Sequence, residues 1–83
     1  MARLPRAEAE HHIKAFEAAG WRVARITGSH YVLIKDSVDY HLSIPYHRGQ
    51  TVKAGLLRGL IRDAGLTTDE YLAFFKGRKR RSG

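Results

Sequence analysis

Apolar positions recur at helical spacing near the start of the chain, alternate from residue 21, and return to helical spacing after residue 53. Ala9, Ile13 and Phe16 share one helical face while Glu8, His12 and Glu17 fall elsewhere, which predicts a helix over residues 5–19. Pro5 suits its first turn, and Gly20 suits the position just past its end. Trp21, Val23 and Arg25 then alternate with Arg22, Ala24 and Ile26, predicting a strand over residues 21–27. Gly28 reads as a turn or bulge, and residues 29–35 as a second strand. After a polar connection at residues 36–39, Tyr40, Leu42 and Ile44 alternate with His41 and Ser43 as a third strand. Pro45 ends it, because proline cannot donate to a ladder.

Beyond a loop at residues 46–51, Leu56, Leu57, Leu60, Ile61 and Ala64 form the apolar stripe of a second helix closed by Gly65. Thr67 and Glu70 are spaced as a capping box, with Leu66 and Tyr71 as its hydrophobic staple, so a short third helix runs through Phe75. Short connections favour an antiparallel meander. The fold class is α+β: helix, three-stranded antiparallel sheet, helix, with a short C-terminal helix. Two helices cover one face of such a sheet and leave the other to solvent or a partner.

Eighty-three residues make one small domain, here residues 1–75, followed by a basic tail over residues 76–83. The chain has no cysteine, so neither a disulfide framework nor a thiolate metal site is expected. The first 20 residues contain no apolar signal-peptide core, and no apolar run is long enough for a membrane span. The expectation is a cytoplasmic protein without membrane association. Its charge adds something positive. The formal net charge is +7, and five of the fifteen cationic residues are Lys76, Arg78, Lys79, Arg80 and Arg81. Residues 1–75 therefore carry only +2, ten cations against eight acids. The tail, with no apolar anchor, reads as mobile and suited to a polyanion, of which nucleic acid is the commonest. A merely solvated terminus has the same composition.

Five histidines supply the candidate chemistry. Histidine is the side chain best suited to proton transfer near neutral pH. His30, His41 and His47 lie in the sheet region, but their separations match no standard metal-ligand spacing. No closely spaced carboxylate pair suggests a two-metal nuclease, and no phosphate-binding glycine loop is present. No metal and no small-molecule cofactor is expected. Gly28-Ser29-His30 is the most pointed local feature, because the glycine permits a tight turn and the histidine projects from the start of the next strand. Neighbouring strand residues point to opposite faces, so Ser29 and His30 form no hydrolase dyad. Arg48, Lys53, Arg58 and Arg62 are candidates for a phosphate-facing strip beside the second helix.

Three segments together give a resemblance. They are Gly28-Ser29-His30, Ile44-Pro45-Tyr46-His47, and Lys53-Ala54-Gly55-Leu56-Leu57-Arg58 running on to Ala64-Gly65-Leu66. In this order, over residues 4–75, the chain resembles the HicA, or YcfA-like, messenger-RNA interferase toxins of type II toxin–antitoxin systems. The resemblance implies a double-stranded-RNA-binding-like fold and a metal-independent endoribonuclease that cleaves mRNA and depends on one histidine, here His30. Gly28, Ser29 and His47 would support it, and the partner would be a HicB-type antitoxin that occludes the site. The basic tail lies beyond the resemblance.

Such a reaction is chemically coherent. RNA carries its own nucleophile, the 2′-hydroxyl, so a base, charge stabilisation and alignment suffice. The acid for the leaving 5′ oxygen stays open among His47, a lysine and water. The competing expectation is a non-catalytic RNA-binding module of the same fold, which would need no catalytic histidine.

Overall fold

The computed structural model describes residues 3–77. They form α1 (Ala9–Ala18), β1 (Arg22–Thr27), β2 (His30–Ile34), β3 (Leu42–Pro45), α2 (Ala54–Asp63) and α3 (Thr68–Gly77). The strands make one antiparallel sheet in the order β1-β2-β3, giving the expected α+β arrangement. Leu33, Leu42 and Ile44 point from the sheet into a core completed by Ile13 and Phe16 of α1 and by Leu57, Leu60 and Ile61 of α2. Both helices that precede glycine turns end in the same way. Trp21 N–H bonds to Phe16 C=O and Gly20 N–H to Glu17 C=O, while Leu66 and Gly65 do likewise with Ile61 and Arg62. The Thr67–Glu70 capping box is formed in both directions, at 2.9 and 3.0 Å.

Several boundaries differ from those predicted, each for a visible reason. Helix α1 starts at Ala9, not near Pro5, because the preceding residues pair with the loop before α2. Val52 N–H bonds to Ala7 C=O at 3.0 Å, and Glu8 bridges Thr51. Tyr40 lies outside β3: its hydroxyl bonds to the Asp63 carbonyl and its ring packs against Trp21. Leu56, expected in the core, is 41% exposed. Its neighbour Leu57 takes the inward position. Helix α3 continues through Gly77, so Lys76 belongs to its last turn and not to a separate tail. Arg78, Lys79, Arg80 and Arg81 lie outside the described residues.

One strand changes face part-way along. Val23 pairs with Leu33 and Arg25 with Val32, so Ala24 is an extra residue, a bulge. Val23 therefore sits on the helix side, and Arg25 on the opposite side. Ile26 faces Tyr31 on the helix side. The single alternating face expected for Trp21, Val23 and Arg25 does not exist.

The α1–α3 contact buries an unexpected polar group. His12 is fully buried, its Nδ1 lies 2.5 Å from the Tyr71 hydroxyl, and its ring packs near Phe75. Burial, with the neighbouring His11 charge, lowers its pKa from 6.5 to about 4, against the raising effect of the Ala7 backbone. The folded state thus holds a neutral imidazole that the unfolded chain protonates more readily. Its full contribution is present above pH 6.5 and is lost as pH falls toward about 4. The cost at low pH is up to about 3 kcal/mol. Melting temperature should fall through this window, and His12→Phe should flatten the fall; a profile unchanged by that substitution would refute the assignment.

Candidate active site and nucleic-acid interface

Position His30 occupies follows from a two-residue hairpin. Thr27 pairs with His30, leaving Gly28 and Ser29 as the whole turn. Gly28 has φ +52°, the positive value that the first position of a type II′ turn requires. On the other side, His30 pairs with Pro45, and Tyr46 N–H bonds to Ser29 C=O at 2.6 Å. That bond makes His30 and Pro45 a non-hydrogen-bonded pair, the closer kind, with Cα atoms about 4.5 Å apart. It also explains why Pro45 extends β3 by one residue instead of stopping before it: β3 is an edge strand, and its ladder asks for no donor at this position.

Alternation along β2 sends Tyr31 and Leu33 toward the helices, and so sends His30 and Val32 to the open face. His30 is exposed there. Thr27 and Arg25 of β1 share that face with it. Arg25 stands diagonally across from His30, at a separation of about 7–8 Å that a long side chain can span. Sequence reasoning passed over Arg25, because only the bulge brings it round to this face.

Behind the sheet, the Tyr31 and Tyr46 rings stack at 5.0 Å, and the Tyr46 hydroxyl bonds to Glu10 at 3.3 Å. Desolvation and the Glu10 carboxylate raise the Tyr46 pKa above its ordinary value, so this phenol is no base at neutral pH. It fixes the segment leading to His47.

Two hollows continue from this end of the sheet. The first, of about 190 Å³, is lined by Pro45, His47, Gln50, Val52, Lys53 and Leu56. The second, of about 830 Å³, brings together Arg3, Arg6, Lys53 and Arg58 around the start of α2. They share Thr51, Val52 and Lys53. The structure thus joins Gly28, Ser29, His30 and His47 at one corner, with Lys53 and Arg58 leading away from it. Arg62, together with Arg58, lines a further hollow between α2 and the start of α3, and lies 3.8 Å from Asp63. Arg48 is exposed in the turn after His47, and Lys76 is exposed on α3; neither lines these hollows. Arg6 falls within the predicted first helix and Arg3 just before it, and no local signal places either beside the start of α2.

Among the described residues, no three His, Asp or Glu side chains gather as a metal site. None of the described helices is long and apolar enough to cross a membrane.

Comparison with known proteins adds one finding. A family model described as HicA toxin of bacterial toxin-antitoxin matches residues 9–66, more than half of the chain. No curated protein and no solved structure gave a match.

Proposed function

Since the chain belongs to the HicA toxin family of bacterial toxin–antitoxin systems, we propose that it is an endoribonuclease that cleaves messenger RNA and is held inactive by a HicB-type antitoxin in the cytoplasm. The observation that carries this reading is His30 itself, exposed on the open sheet face, held by backbone partners on both sides, and paired with Pro45, which lines the smaller of the two hollows.

In the proposed mechanism, His30 accepts the proton of the 2′-hydroxyl as that oxygen attacks the adjacent phosphorus. The bond to the 5′ oxygen breaks, leaving a 2′,3′-cyclic phosphate on one product and a 5′-hydroxyl on the other. Arg25, on the same face as His30, offsets the negative charge that builds on the phosphorane. Lys53, Arg58, Arg3 and Arg6 hold phosphates of the flanking strand. The proton required by the leaving oxygen comes from His47, a lysine or water.

This chemistry draws on the substrate's own nucleophile and calls for no metal. Cleavage should therefore proceed undiminished in excess EDTA. A substrate with a single 2′-deoxy sugar at the cut position should stay intact, because the nucleophile is gone. Loss of activity on chelation, restored by divalent metal, would overturn the proposal. RNA binding without any cleavage would favour the non-catalytic module.

A further inference from the structure

Resting on the RNA-cleaving reading above, we infer that the hollow between Pro45 and Leu56 is a binding site for one unpaired nucleobase next to the cut, with Gln50 and His47 reading its edge.

Three observations lead there. Leu56 is 41% exposed although it lies on a helix whose other leucines turn inward. It lines the hollow with Pro45 and Val52, alongside the polar His47, Gln50, Thr51 and Lys53. A base has the matching chemistry, with flat apolar faces and a polar edge. Gln50 offers an amide donor and acceptor together, which can meet such an edge with two bonds. The turn that presents it is fixed by its own N–H bonding to the His47 carbonyl at 3.0 Å.

Position strengthens the case. Pro45 is the direct cross-strand neighbour of His30, so a base seated against it brings its sugar and phosphate toward the imidazole. On the far side, the hollow opens through Lys53 into the cluster of Arg3, Arg6 and Arg58. An anionic strand can thus run from His30, past a seated base, onto four cations. This charge complementarity favours RNA over an apolar protein side chain as the occupant. A base can enter only when it is unstacked and unpaired, so the substrate at the cut is single-stranded.

The test uses the full chain and single-stranded RNA octamers of varied sequence bearing 2′-O-methyl groups, which cannot be cleaved by 2′ attack. NMR titration should move the Leu56 methyl and Gln50 side-chain amide signals. Leu56→Trp, which fills the hollow, should weaken binding about tenfold, and the corresponding duplex should leave those two signals in place. Gln50→Ala should alter the base frequencies at one position beside the cut in an unmodified RNA library. Shifts confined to Arg3, Arg6, Lys53 and Arg58, or equal response to duplex, would overturn the inference. So would signals that move only with an antitoxin chain, or cut-site frequencies unchanged in Gln50→Ala. A chain that seats the base yet cuts nothing would uphold the site while overturning the nuclease reading.

Discussion

Replacing His30 with alanine should lower the rate of RNA cleavage by about 10²- to 10⁴-fold, the range typical for loss of a general base. Growth arrest on expression should disappear with it. Folding should be unaffected, because the side chain is exposed and no packing in the core depends on it. The backbone pairs with Thr27 and Pro45 do not involve the imidazole, so circular dichroism and the melting curve should match those of the parent chain. Binding to an uncleavable RNA should also persist, since the cations lie on other elements. Single-turnover cleavage at saturating enzyme separates the two roles. A variant that retains the parent rate would remove His30 from the mechanism, and a variant that binds poorly but cuts normally at saturation would make it a contact residue.

The second large effect concerns Tyr71. The family match ends at residue 66, and the final helix could be taken for an appendage. The packing contradicts that view. Tyr71 is fully buried, its ring lies 5.0 Å from that of Phe16, and its hydroxyl meets His12. Truncation to alanine should cost about 3–5 kcal/mol, as for other large aromatic residues in cores. In a domain this small that is a large share of total stability. Urea denaturation should show the midpoint collapsing, and the chain ended after residue 66 should not fold at all. Tyr71→Phe keeps the ring and gives up only the hydrogen bond, so it should cost about 1–3 kcal/mol. Equal stability of Tyr71→Ala and the parent would show that α3 is dispensable.

Much of this was legible before the structure, and the failures have a common cause. Caps and turns are local, and Gly20, Gly28, Gly65 and the Thr67–Glu70 box all appear where spacing put them. The place of His30 at the start of β2 was legible because the turn before it is two residues long. The errors arose where a distant segment competes for a backbone or a side chain. Pro5 lies outside the helix because residues 7 and 8 answer to residues 51 and 52. Tyr40 leaves the strand for Asp63. His12 carries no signal in its own surroundings, since its partner is 59 residues away. The hollows depend on such long-range meetings as well, so Arg3 and Arg6 could not be read as partners of Lys53 and Arg58.

The bulge at Ala24 acts as a parity switch. A strand without it has one rule throughout, odd residues to one side and even to the other. With it, the first half of β1 obeys one rule and the second half the opposite. Trp21 and Val23 can thus join the core while Arg25 and Thr27 still reach the open side. For anyone aligning or redesigning this segment, Ala24 is the position where a gap of one residue is tolerated, because Val23, Arg25, Ile26 and Thr27 would keep their partners and their faces. A gap at a paired position such as Ile26 would instead turn Arg25 to the helix side, or else draw Thr27 out of step with His30.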